Sequence, residues 1–203
     1  MAIRTPLLKS HEELYRAKAG SPEIVDVPPA SFLMMDGQGD PNNSVAYAQA
    51  IQTLYSAAYA VKFAVKRAGG PDEKVPPLEG LWWGAEEQGF GPGTKDQWSW
   101  TMMIRLPESA GPELVAATLK EVAGKKPDLP IGRLRIERFD EGRCAQVLHV
   151  GPYSEEGPTV AALHAFLAGE GYVRRGRHHE IYLGDTRRAE PSRLRTLIRQ
   201  PVA

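Results

Sequence analysis

The chain has a single cysteine, Cys144, so it can form no internal disulfide and carries no paired-thiol metal or redox motif. Net charge is absent too. Twenty-five Lys and Arg balance twenty-five Asp and Glu, which leaves no overall positive field to gather phosphates, and nucleic acid is not an expected partner. No stretch of about 18 apolar residues occurs, and Met1-Ala2-Ile3-Arg4 opens no apolar leader, so a cytoplasmic protein without a membrane partner is expected. What the chain does have is 203 residues at 42% hydrophobic content, enough to build the core of one ordinary domain or two small modules. Its four Trp, seven Tyr and five Phe are bunched rather than scattered.

Local patterns give an alternating series of elements. Ser10 to Lys18 reads as a short polar helix, and Glu23-Ile24-Val25-Asp26-Val27 as a lead-in strand stopped by Pro28-Pro29. Ser31 to Asp36 reads as a buried strand, broken by Gly37 and Gly39. A helix follows, capped by Ser44 or Asn43, with Tyr47, Ile51, Leu54, Tyr55, Ala58, Val61 and Val65 at helical spacing and a stop at Gly69-Gly70-Pro71. Strands are expected at 76–83 and 98–106, a helix at 109–123, strands at 134–139 and 144–150, a helix at 158–168, and strands at 179–183 and 194–201.

The order β-α-β-β occurs twice. Met34 to Gly37 lies over Leu148 to Gly151 at an offset of 114, and Ile104 to Pro107 over Ile198 to Pro201 at an offset of 94. The expected fold is α+β, two tandem β-α-β-β modules about a pseudo-twofold axis with a central ligand cleft. The first module covers about 30–107, the second about 143–203, with a linking helix and strand at 108–140 and an N-terminal extension at 1–29. Strand alternation separates Glu180 and Tyr182 from Ile181 and Leu183, and the aliphatic pair is expected to face a helix. Glu180 is then expected to be alone among aromatic rings.

Several segments together resemble the GyrI-like (gyrase-inhibitor-like) small-molecule-binding family in its free-standing form: Ile24 to Pro28, Gly37 to Asn42, Leu78 to Trp83, Trp98-Ser99-Trp100, Gln146 to Tyr153 and His178 to Leu183. The resemblance implies a buried cleft glutamate at Glu180 with a neighbouring tyrosine at Tyr182. It implies an aromatic wall at Trp82 or Trp83, Trp100, Tyr55 and Tyr153, and small aromatic or cationic molecules as ligands. Some members resemble hydrolases that open the strained cyclopropane of DNA-alkylating natural products with water. Relatives fused to DNA-binding domains sense drugs without chemistry, but no helix-turn-helix segment is expected beside this module. Inhibition of a protein partner such as a topoisomerase rests on the family's name alone.

In that setting Glu180 is the candidate general base and Tyr182 or Tyr153 the hydrogen-bond donor to the leaving oxygen, with the carboxyl pKa raised by lost hydration. The same pocket also suits a module that binds without chemistry, using Glu180 as counter-charge. The plainer alternatives are a salt bridge from Glu180 to Arg105 or Arg199 and ordinary sheet packing for the tryptophans. No cofactor is expected. His178-His179-Glu180 tempts a metal assignment, but only His178 and Glu180 share a strand face, so no metal site is expected. Gly89 to Lys95 runs into a strand rather than a helix, which excludes a phosphate loop and leaves a hairpin loop or a lid tipped by Phe90.

Overall fold

The computed structural model describes residues 11–84, 97–184 and 189–203, and the loop at Gly89 to Lys95 lies outside them. The fold is α+β, with eight strands and four helices among the described residues. None of these helices is long and apolar enough to cross a membrane. The described residues fall into two compact units, one drawn from Ala30–Leu78 and Pro92–Phe139, the other from Met1–Pro29, Glu79–Gly91 and Asp140–Ala203.

The first of these units contains β2 (Ala30–Gln38), α2 (Val45–Arg67), β4 (Ser99–Arg105), α3 (Pro112–Lys125) and β5 (Arg135–Phe139). Strand β2 is central, antiparallel to β4 on one side and to β5 on the other. Helix α2 starts at Ser44, whose hydroxyl accepts the Tyr47 amide at 3.2 Å and so resolves the choice of cap. Its small buried stripe of Ala50, Ala57, Ala58 and Ala64 lets it lie close on the sheet, and α3 packs against it.

Gly37 shows what fixes this unit's sheet. It stands opposite Trp100 in the β2–β4 register, and a Cβ placed there would fall 2.2 Å from the indole ring. Trp100 is 1% exposed and meets the Tyr47 ring edge-on at 5.2 Å, so it has nowhere to retreat. Gly37→Ala is therefore expected to destabilise the protein by about 1–3 kcal/mol through overpacking, read as a lower midpoint in urea unfolding. An unchanged midpoint would contradict this packing.

The other unit contains α1 (His11–Leu14), β1 (Glu23–Val27), β3 (Leu78–Trp83, within this unit from Glu79), β6 (Gly142–Val150), α4 (Gly157–Gly169), β7 (His178–Tyr182) and β8 (Arg195–Pro201). Its strands run in the order β1-β6-β8-β7-β3. The helix expected over Ser10 to Lys18 is shorter than the polar stretch that suggested it. Beyond Leu14 the chain extends along β6 instead, where Lys18 O accepts the Leu148 amide at 3.0 Å.

The two faces of this sheet differ. On one, Ala145, Val147 and Ile198 pack with Leu163 and Leu167 of α4; on the other, Val25 and Cys144 pack with Leu14 of α1. Register sets Glu180 beside Ile198, and Tyr182 beside Thr196, which itself stands opposite His149. Glu180 and Tyr182 thus lie on the α4 face, because directly opposed residues share a face. Ile181 projects to the opposite face, the one on which Leu14 of α1 packs, so the aliphatic side of β7 is not the side that α4 covers. The aliphatic side chains of β6 and β8 already supply Leu163 and Leu167 with contacts, so β7 is free to place polar groups on the α4 face.

Candidate functional site

Strand β7, His178-His179-Glu180-Ile181-Tyr182, divides its chemistry between the two faces by simple alternation. His178, Glu180 and Tyr182 project to one side and His179 to the other. On the first side Glu180 is 7% exposed. Its Oε2 accepts the Tyr182 hydroxyl at 2.8 Å, and its Oε1 lies 3.0 Å from His178 Nε2. The Tyr182 oxygen in turn accepts Trp82 Nε1–H at 3.0 Å, and the Tyr153 ring packs edge-on against the Tyr182 ring at 5.6 Å. Tyr153 itself is 40% exposed, so this cluster reaches solvent at the Tyr153 end.

Glu180 is not the lone carboxylate expected. Glu156 precedes α4, is buried, and lies within hydrogen-bonding reach of the Glu180 carboxyl. Burial, and then the Glu180 charge, push the Glu156 carboxyl up to about 9, with the Thr196 hydroxyl pulling slightly the other way. Two carboxyls this close cannot both ionise cheaply, so the pair holds a proton at neutral pH. Glu156 Oε1 has no hydrogen-bond partner among the described residues.

The loop that delivers Glu156 is built for the purpose. His149 is buried, its Nδ1 2.9 Å from Thr159 Oγ1 and its Nε2 3.3 Å from Pro152 O, and so ties both ends of the turn. Gly151 adopts φ +143°, and a Cβ there would stand 3.2 Å from His149 Nε2, so only glycine passes comfortably. The pair also carries a stability signature. In the folded protein Glu156 keeps its proton above the ordinary carboxylate value of 4.5, whereas the unfolded chain releases it. Its contribution to stability is complete below about 4.5 and lost as pH rises through about 9. Glu156→Gln is therefore expected to match the wild type in Tm near pH 4 and exceed it near pH 8; a lower Tm at both would refute the assignment.

On the opposite face His179 is 1% exposed, with Nδ1 2.7 Å from Glu141 Oε1 and Nε2 2.9 Å from Glu79 Oε2. Arg199 adds a contact to Glu141 at 3.5 Å, donates to Gln146 Oε1 at 3.1 Å, and donates to Leu14 O. Tyr15 donates to Glu79 at 2.9 Å. Burial pulls His179 down, but Glu141 and Glu79 outweigh it and raise the imidazole to about 9. Two cations and two carboxylates thus neutralise one another inside the unit, tying α1 and β3 to the sheet.

Of the residues singled out from sequence, the structure gathers Glu180, Tyr182, Trp82 and Tyr153. Trp83 projects from the other face of β3, where the Arg177 guanidinium covers its ring at 3.6 Å. Tyr55 and Trp100 belong to the other unit: Tyr55 stacks near Tyr59 at 6.3 Å, and Trp100 is core beneath Tyr47. Arg199 is committed to Glu141 and Gln146, and Arg105 pairs with Glu108 at 3.6 Å, so in place of the alternative arginine bridge Glu180 has Tyr182 and His178. Cys144 is fully buried with its thiol pushed up by burial, which disfavours a nucleophilic thiolate. Among the described residues no cluster of three or more His, Cys, Asp or Glu side chains has the arrangement of a metal site.

Sequence reasoning missed Glu156 and gave His178 only a metal-ligand reading. Glu155-Glu156-Gly157-Pro158 looks like ordinary acidic lead-in to a helix, and only the register brings it to Glu180.

A family model described as a GyrI-like small molecule binding domain matches residues 21–203. Solved structures from Listeria innocua are similar over 98% of this chain and 100% of theirs: an uncharacterized conserved protein at 39% identity and TM-score 0.87, and a hydrolase at 38% identity and TM-score 0.82. The C-terminal domain of EcmrR, at 13% identity and TM-score 0.58 over 90% of this chain and 97% of that one, shares the fold. No curated protein matches the chain.

Proposed function

This chain belongs to the GyrI-like small-molecule-binding family, and from that premise we propose that it is a hydrolase that opens the cyclopropane ring of electrophilic, DNA-alkylating small molecules with water. The observation that carries the reading is a buried Glu180 whose carboxylate is fixed by Tyr182 and His178 beside the rings of Trp82 and Tyr153. Similarity to a Listeria innocua hydrolase across the whole chain supports it.

Ring opening requires a water directed at one cyclopropane carbon, an acceptor for its proton, and a donor for the dienone oxygen as it becomes a phenolate. Glu180 is the acceptor. The more exposed Tyr153 donates to the oxygen, or Tyr182 does so by turning its one hydroxyl proton away from Glu180, and the aromatic faces hold the flat fused rings. Release of ring strain drives the step, so positioning supplies most of what the protein must add. The test is incubation of purified protein with such a compound in heavy-oxygen water. The expected product is the ring-opened alcohol carrying the heavy oxygen, detected by mass spectrometry. Unchanged substrate, or product formed equally fast without protein, would refute it.

The alternative is a module that sequesters planar or cationic molecules without chemistry. The buried negative site beside three aromatic rings favours it, since those are the parts of a cation–π site. Binding with no product selects this reading.

We also propose that the chain is one domain of two tandem modules with a pseudo-twofold relation, about 30–107 and 143–203. Register supports the duplication. Leu33 stands opposite Ile104 and Val147 opposite Ile198, which moves the first strand by 114 residues and the last by 94, the offsets of the sequence repeat. The proposed setting is the cytoplasm, with small molecules rather than nucleic acid as partners.

A further inference from the structure

We propose that Glu156 and Glu180 form a one-proton, one-charge pair in which the positive charge of an aromatic ligand takes the place of the Glu156 proton, so that cation binding expels a proton. The inference rests on reading the Glu180 face as the ligand site. Glu156 is 7% exposed, and its Oε1 has no partner among the described residues, an arrangement that costs stability unless something else uses the oxygen. The oxygens of Glu180 are both engaged, by Tyr182 and His178, so Glu156 is the member of the pair with capacity to spare.

Among the described residues few groups bear on Glu156. They are Glu180 of β7 and the Thr196 hydroxyl of β8; His178 and Tyr182 act through Glu180, and His149 of β6 holds the turn at Pro152 and Thr159. Burial and the Glu180 charge keep the Glu156 proton in place while the site is empty of charge. A cation seated against Trp82, Tyr182 and Tyr153 reverses that balance. Its positive charge favours the ionised form of Glu156, and by reciprocity loss of the proton favours the cation. The bond broken is O–H of Glu156, and the proton goes to solvent. A neutral ligand of the same shape leaves the proton in place. The pair therefore distinguishes ligand charge by an exchange, and couples affinity for cations to pH.

The experiment is isothermal titration calorimetry of N-methylacridinium and of its neutral parent acridine, near pH 7, in two buffers of different ionisation enthalpy. For the cation the expected result is release approaching one proton, with affinity rising up to about tenfold per pH unit below the Glu156 pKa. Acridine is expected to bind without release. Glu156→Gln, which keeps the shape of the protonated acid, is expected to bind the cation with no release and no pH dependence. Cation binding by wild type without proton release overturns the inference and leaves the ligand site standing. Release that persists in Glu156→Gln overturns it likewise. Failure of both acridines to bind overturns the cation site itself, while the heavy-oxygen assay judges hydrolysis separately.

Discussion

Glu180→Gln is expected to lower kcat/KM for hydrolysis of a cyclopropane-bearing substrate by about 10²- to 10⁴-fold, the usual worth of a positioned general base. The amide keeps the volume and still accepts the Tyr182 hydroxyl through its carbonyl oxygen, so the strand and its neighbours have no reason to move. It loses the ability to take a proton from water. The loss is expected in kcat, with substrate affinity, read from quenching of tryptophan fluorescence, changed only a few-fold. Loss of affinity with kcat unchanged would make Glu180 a binding group. An unchanged rate would remove it from the chemistry. Tyr182→Phe separates the two roles further: it takes a donor from Glu180 and an acceptor from Trp82 while keeping the ring that Tyr153 packs against.

His179→Leu has the largest expected effect on stability, a loss of about 3–5 kcal/mol. The imidazolium lies between Glu79 and Glu141, all three buried, and removing it leaves Glu141 to Arg199 and Glu79 to the neutral Tyr15 hydroxyl. Breaking one partner of a buried ionic network costs more than the network is worth as a whole, because the abandoned charges stay buried. The sign with pH follows from the raised imidazole. Its contribution is full below its ordinary value of 6.5 and is lost as pH rises through about 9. Glu141 is held below its ordinary 4.5 by His179 and Arg199 against burial, and its contribution is present above that value and lost as pH falls through the lowered one. Urea unfolding of wild type and variant is therefore expected to differ most between about pH 5 and 6.5, and progressively less toward and beyond pH 9. A variant within about 1 kcal/mol of wild type across that range would show that the network contributes little.

These two residues are adjacent in sequence and do unrelated work, which shows what was legible beforehand. Period-two alternation separated His179 from Glu180, and the family resemblance implied Trp82 or Trp83 in one aromatic wall with Tyr182 nearby. Strands and caps followed local rules: Ser44 caps α2 and Pro112 opens α3. What failed was long range. Alternation says which residues share a face but not which helix covers it, and it is Val147 and Ile198 rather than Ile181 that pack with α4. Glu156 was invisible for the same reason, since 24 positions separate it from Glu180 and only the β6–β8–β7 register closes the distance. Of the other tryptophans in the expected wall, Trp83 lies under Arg177 and Trp100 packs beside Gly37.

The central claim is that the ligand's reacting carbon comes to the carboxyl at position 180. A crystal structure of Glu180→Gln with an intact cyclopropane-bearing substrate tests it most directly. The account predicts the flat rings against Trp82 and Tyr153, with an ordered water between the substituted side chain and a cyclopropane carbon. A substrate bound away from β7, or one seated there with no room for water beside position 180, would contradict it.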